Sequence, residues 1–231
     1  MNDLSSGGPP SSPDVPAAAR RQFQIVALGV LLYVVLDVVA QLLPPHYSPI
    51  SQAESDLAVG PYGFVMTINF VNRGLLSVLF LVALARTISS VGGRWTQFRT
   101  GFVLVGVWGV GALLLAAFPT DVPATPVSWH GAIHLVVAVI AFFAGAFGVY
   151  FLASRFELNR LLAPARSWAV PLGLVSILLC FVDIGLPFVA PHLAGRVGGL
   201  TERLFLGSVL LWIFGVSLYL TRRPARAPHP V

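Results

Sequence analysis

"PYGFVMTINFVNRGLLSVLF", residues 61–80, reads as a helix with two unequal faces. Asn69, Asn72, Arg73 and Ser77 recur at spacings of three and four residues, so they share one side of a helix whose remainder is almost entirely apolar. Arg73 stands eleven residues beyond Tyr62. At about 1.5 Å per residue that is roughly 16 Å along the axis, close to the middle of a hydrocarbon core about 30 Å thick. A guanidinium there costs at least about 2.5–3.5 kcal/mol if it meets lipid, so the polar face must be enclosed by other helices. The stretch therefore predicts a bundle inside a membrane.

The rest of the chain agrees. Of its 231 residues 56% are hydrophobic and 10% charged, and the mean hydropathy is +0.83, which leaves too little polar surface for a soluble domain of this size. Six apolar runs are long enough to cross, at approximately 23–43, 62–86, 100–118, 129–153, 168–190 and 203–221. The ten-residue alternation of a barrel strand is absent, so helices are expected. The predicted fold class is all-α: a polytopic six-transmembrane-helix bundle over residues 20–221. Residues 1–19, rich in Ser, Pro and Gly, are expected to be a disordered cytoplasmic tail, and 222–231 a short basic one. The run after Arg20 and Arg21 is too long for the apolar part of a signal peptide and is read as a mature helix. Cys180 is the lone cysteine, so no intramolecular disulfide can form.

The net charge of +5 comes from arginine, for there is no lysine. Arg20 and Arg21 precede the first run, Arg86, Arg94 and Arg99 lie between the second and third, Arg155, Arg160 and Arg166 between the fourth and fifth, and Arg222, Arg223 and Arg226 after the sixth. All eleven fall on one side, against Arg196 and Arg203 near the connection between the fifth and sixth runs, and the positive-inside rule then makes both termini cytoplasmic in a cytoplasmic (inner) membrane. The basic balance reports topology and contact with the lipid bilayer and its anionic lipids, and gives no reason to expect nucleic acid.

Most acids and histidines segregate to the opposite side: Asp37, His46, Glu54, Asp56, Asp121, His130, His134, Asp183, His192 and Glu202. This predicts an outward-facing polar pocket. Asp37 and Asp183 sit roughly 10 Å below the outer surface, where a guanidinium reaching outward from Arg73 would meet one of them. Three readings compete. Arg73 and a carboxylate could be a buried ion pair completed by Asn69 and Asn72; they could floor a pocket for an anionic headgroup or small acid, which a guanidinium grips bidentately; or Asp37 or Asp183 could carry protons in transport. Small residues such as Ala141 and Gly145 need only mean close helix packing. The spacing Asp-x8-His recurs at Asp37/His46, Asp121/His130 and Asp183/His192, as a threefold hairpin repeat would require, although the surrounding residues otherwise differ.

In "FPTDVPATPVSWHGAIH", residues 118–134, Ser128 is a natural N-cap and His130 and His134 follow one turn apart. Two imidazoles at that spacing suit a metal, with Asp121 as a third ligand, but Gly131 and Ala132 stand where the His-Glu-x-x-His helix of a zinc protease has its glutamate and the next residue. No metal is favoured and no cofactor is expected. Zinc on His130, His134 and Asp121, serving a metal-dependent hydrolase at the outer leaflet, is the alternative. No nucleophilic triad, phosphate loop or dinucleotide fingerprint is present.

"ESDLAVGPYGFVMTINFVNRGLLSVLF" (54–80), "AAFPTD" (116–121), "SWHGAIH" (128–134) and "GLTERLFLG" (199–207) together resemble the bacterial and archaeal multi-pass membrane family known as domain of unknown function 998, over roughly residues 25–220. The resemblance implies six membrane helices and no established reaction or ligand. It draws attention to Asp121, His130, His134, Glu202 and Arg203. These are expected to converge at the outer mouth of a pocket that binds, and transports or senses, a small anionic molecule or a lipid headgroup. A structural protein whose polar groups only join helices is the third possibility.

Overall fold

The structure, a computed structural model, describes residues 15–45, 47–122 and 125–223. Most of the expected N-terminal tail, the C-terminal tail from residue 224, and His46 of the recurring spacing lie outside the described residues. Six long helices account for the fold: α1 (Ala17–Leu42), α2 (Gly63–Ser90), α3 (Arg99–Ala117), α4 (Trp129–Ser154), α5 (Arg166–Val189) and α6 (Pro191–Thr221). There is no strand among the described residues. All six are long and apolar enough to cross a bilayer, and the chain is a multi-pass membrane protein.

Two helix starts differ from expectation. Helix α1 begins at Ala17, inside what reads as the tail, because "AAARR" is a strong helix former and Val15, Ala19 and Phe23 are buried against the bundle. Helix α6 begins at Pro191, not near residue 203. Its first turns carry Gly195, Gly198 and Gly199 and read as a loop, but Pro191 suits the first helical position and Gly199 admits the neighbouring α1–α2 loop.

Each helix packs on the next, and α6 closes the ring against α1. Helices α2 and α6 contribute the most buried faces, whereas α5 is largely peripheral. Asparagines fasten α2 to α1: Asn69 Nδ2 donates to the Tyr33 carbonyl at 3.1 Å and Asn72 Nδ2 to the Gly29 carbonyl at 2.9 Å. Trp212 Nε1 likewise donates to the Ala169 carbonyl, joining α6 to α5. Between α3 and α4 the contact depends on Gly145, where an added Cβ would lie 2.5 Å from the Trp108 ring. That ring is fully buried and packs edge-on against Phe205 of α6.

The ends carrying the α1–α2, α3–α4 and α5–α6 connections hold most of the acids, and are called the acidic end below. The α5–α6 connection is the single residue Ala190, so this hairpin is tight, while the α1–α2 loop spans residues 43–62 and folds back over the bundle.

Gly145→Leu should force Trp108 out of its seat. The expected cost is about 1–3 kcal/mol of overpacking, read as a lower thermal midpoint for the detergent-extracted protein, while Gly207→Leu, with open space at its Cβ, should leave the midpoint unchanged.

Candidate functional site

The α1–α2 loop is held by one cation. Arg203 Nη1 donates to the carbonyls of Pro49 (3.1 Å), Gln52 (3.2 Å) and Gly199 (3.1 Å), and Nη2 donates to the Tyr47 hydroxyl at 2.6 Å. Tyr47 in turn donates to the Ala53 carbonyl at 2.7 Å. Burial pushes its phenol up to about 12, so it keeps the proton that this bond uses. Gly199 lets the loop come this close: a Cβ there would lie 2.1 Å from the Gln52 carbonyl oxygen. Nη2 also lies 3.7 Å from Asp37 Oδ1, with both side chains largely enclosed.

The clamp drives Glu54 into the bundle. It opens the short 3-10 turn Glu54–Ala58 and is 2% exposed. Its carboxylate accepts from the Tyr33 hydroxyl, and its backbone N–H donates to Glu202 Oε2 at 2.7 Å. Burial first, and then the Asp37 charge, raise its pKa to about 7, against the lowering pull of the Tyr33 hydrogen bond and of Arg73 and Arg203.

Beneath this loop lies a cavity of about 660 Å³. Its polar lining includes Glu54, Asp56, Arg73, His134, Asp183 and Glu202, and most of the remaining wall is apolar. Arg73 is 1% exposed, and its Nε and Nη2 have no hydrogen-bond partner among the described residues. The guanidinium carbon instead lies 4.6 Å from the centroid of Trp108 and 5.3 Å from that of Phe70. The buried indole Nε1 of Trp108 also lacks an acceptor, and the one orphaned acceptor on the same face of α2 is Asn69 Oδ1. His134, buried, meets the Phe118 carbonyl through Nδ1 at 2.8 Å. A carbonyl only accepts, so Nδ1 carries the hydrogen and Nε2 is left as the acceptor nitrogen. Asp183 accepts from Thr201 Oγ1 at 2.8 Å.

The residues singled out in the sequence therefore separate into three groups. Arg73, His134, Asp183 and Glu202 share the cavity, together with Glu54, which sequence reasoning placed among the acids without giving it a role. Asp37 and Arg203 belong to the loop clamp. The expected pairing of Arg73 with Asp37 or Asp183 is corrected: Asp37 faces Arg203 because the early start of α6 brings that guanidinium beside it, and Asp183 is turned to Thr201. Asn69 and Asn72 fasten α1 instead of flooring the pocket.

Asp121 and His130 form the third group, and their expected convergence with Glu202 and Arg203 is also corrected. Asp121 Oδ2 accepts from the Ser128 N–H at 2.9 Å and Oδ1 from the Ser128 hydroxyl at 2.6 Å, while Ser128 Oγ accepts from the Gly131 N–H at 3.1 Å. Asp121 thus braces the N-cap of α4, and these hydrogen bonds hold its carboxyl below the usual range. His130 is partly exposed, with Nδ1 at 3.2 Å from the Pro119 carbonyl and 3.8 Å from Asp121. Among the described residues no three His, Cys, Asp or Glu side chains are gathered as a metal would require. The three aspartates of the recurring spacing have unlike partners: Asp37 accepts from Gln41 Nε2 at 2.6 Å and lies beside Arg203, Asp121 accepts from Ser128 and Asp183 from Thr201, and His192 is exposed.

The family described as "Protein of unknown function (DUF998)" matches residues 27–219, and the chain belongs to it. No curated protein and no solved structure matches the chain.

Two outcomes are expected of the clamp and of Glu54. Arg203→Lys cannot reproduce a fork that spans three carbonyls and a hydroxyl, and should cost about 3 kcal/mol or more, the scale for disrupting an enclosed charge network; the thermal midpoint in detergent measures it. Glu54 binds its proton more tightly folded than unfolded, so stability should be greatest in acid and fall as pH rises from the ordinary carboxylate range through about 7. Midpoints compared at pH 5 and pH 8 should differ less in Glu54→Gln than in the unaltered protein.

Proposed function

We propose that this membrane protein binds an anionic group, of a small molecule or of a lipid headgroup, in the cavity beneath the acidic end, with Arg73 as its partner. The observation that carries this reading is a fully buried guanidinium with two unpartnered nitrogens on a cavity wall. Its enclosure costs at least about 2.5–3.5 kcal/mol at this depth. The ring faces of Trp108 and Phe70 offset part of that, at roughly 0.5–2 kcal/mol for each cation–π contact. They use the face of the guanidinium and leave its N–H edge, the part that grips a carboxylate or phosphate, unengaged.

A purely structural role is the weaker reading. The joining of α1 to α2 is done by Asn69 and Asn72, and the holding of the loop by Arg203, whereas Nε and Nη2 of Arg73 have no hydrogen-bond partner among the described residues. The bound anion would be transported or sensed from the side on which the acidic end opens. The arginine asymmetry supports a topology with that end outside and both termini in the cytoplasm of a cell whose cytoplasmic membrane the protein spans.

Binding is tested on purified protein with inorganic phosphate, glycerol phosphate and short-chain phosphatidic acid as probes. A ligand at a hundred times its Kd stabilises by about 2.7 kcal/mol. At least one probe should raise the thermal midpoint of the unaltered protein and fail to raise that of Arg73→Gln. No rise with any probe, or an equal rise in the variant, rules the proposal out. For the orientation, with Cys180 replaced by serine, a cysteine at exposed Thr125 should react with an impermeant thiol reagent on intact cells, and one at exposed Thr96 should not. The reverse pattern overturns the topology.

A further inference from the structure

The cavity that encloses Arg73 is bounded by more than buried residues. Its lining also includes Leu135 of α4 and Pro187 and Phe188 of α5, which stand on the outer surface of the bundle. Leu135 is 63% exposed and Phe188 is 83% exposed. In a membrane-spanning bundle that surface faces hydrocarbon chains. The cavity therefore runs from a buried guanidinium to the lipid-facing seam between α4 and α5, and α5 is the least buried of the six helices.

Charge inside the cavity is uneven. Arg73 is its one arginine, whereas Glu54, Asp56, Asp183 and Glu202 all line it. Arg203 is committed to Asp37, three carbonyls and Tyr47. Glu202 and Asp183 line the same cavity, and among the described residues the side-chain partner of Asp183 is the Thr201 hydroxyl. A ligand bearing only negative charge would satisfy Arg73 and be repelled by these carboxylates. One bearing only positive charge would leave Arg73 unpaired. A headgroup with both charges meets both ends: phosphate at Arg73, where the Nε2 of His134 is available to a hydroxyl or ammonium hydrogen, and ammonium at Glu202 and Asp183.

Building on the anion-binding reading of the same cavity, we infer that the ligand is a zwitterionic aminophospholipid that enters sideways from the bilayer between α4 and α5. Its phosphate lies at Arg73, its ammonium at Glu202 and Asp183, and its chain leaves past Leu135 and Phe188. A volume of about 660 Å³ falls within the range of roughly 300–1,000 Å³ for small-molecule sites, enough for a headgroup and the start of a chain. The protein performs no chemistry on the lipid in this account. It withdraws a headgroup from the interface into a charged chamber.

The test uses the full chain in detergent and three probes: a fluorescent phosphatidylethanolamine, a phosphatidylglycerol with the same chains and label, and water-soluble glycerophosphoethanolamine as a competitor. The phosphatidylethanolamine should bind at least about tenfold more tightly than the phosphatidylglycerol, a difference of about 1.4 kcal/mol. The soluble headgroup should compete at least about tenfold more weakly than the unlabelled lipid, on the same scale. Glu202→Gln combined with Asp183→Asn should abolish the preference between lipids, weakening phosphatidylethanolamine and strengthening phosphatidylglycerol. Leu135→Trp, at the seam, should weaken both lipids and leave the soluble headgroup unaffected. Arg73→Gln should weaken every probe, with Arg73→Lys as the partly active control, and each variant is first required to keep a monodisperse elution profile.

The failures are distinguishable. Equal binding of the two lipids, or a preference that survives the double substitution, overturns the zwitterion. A soluble headgroup that competes as well as the lipid overturns lateral entry and leaves anion binding standing. Binding that is indifferent to Arg73→Gln overturns the anion-binding reading itself, and this inference with it.

Discussion

A guanidinium enclosed near the centre of an apolar bundle has to be walled off from lipid, and the arrangement around Arg73 follows from that need. Helix α2 turns its polar face inward, Trp108 of α3 slides beneath the guanidinium, and Trp108 can occupy that place because Gly145 of α4 has no side chain to obstruct it. The same ring meets Phe205 of α6. Four helices are thus positioned around one cation, although none offers it an acceptor among the described residues. That enclosure leaves two of its nitrogens without a hydrogen-bond partner among the described residues.

Arg203 makes the contrast plain. Twelve residues into α6, it spends its guanidinium on the α1–α2 loop that folds against that helix, drawing on three carbonyls, a phenol and a carboxylate. It is a fastening, and its effect is to carry Glu54 into the bundle and roof the cavity. Arg73, ten residues into α2, meets the ring faces of Trp108 and Phe70 and fastens nothing among the described residues. The difference between the two residues follows from what each faces, loop carbonyls for one and aromatic rings for the other.

Equal spacing did not give equal roles. Asp37, Asp121 and Asp183 each precede a histidine by nine residues, yet one pairs with an arginine, one braces a helix cap and one accepts from a threonine. Their positions relative to the helix ends explain this. Asp121 lies beyond α3 in a connection that must satisfy the first N–H groups of α4, whereas Asp37 lies within α1, where it accepts from Gln41 of its own helix and faces Arg203 of α6, and Asp183 lies within α5 and accepts from Thr201 of α6. The histidines divide in the same way: His134, one turn further into α4 than His130, reaches the cavity, while His130 stays at the rim.

The sequence alone determined the number of helices, their membrane-spanning length, the inward turn of the Asn69, Arg73 and Ser77 face, and the membership of the family, because each depends on local composition, on a 3.6-residue period, or on motifs that can be read along the chain. It also marked the acidic end as the place for a site. What it could not determine were the partners. Whether Asp37 faces Arg73 or Arg203 depends on where α6 begins, and twelve residues of glycine-rich segment read as a loop until Pro49, Gln52 and Tyr47 are set against them. Glu54 is an ordinary loop acid in the sequence, and only the clamp of that loop by Arg203 buries it beside Tyr33. Helices form from neighbours in the chain, whereas a cavity forms from groups brought together across it, and which groups those are is decided by how the helices close.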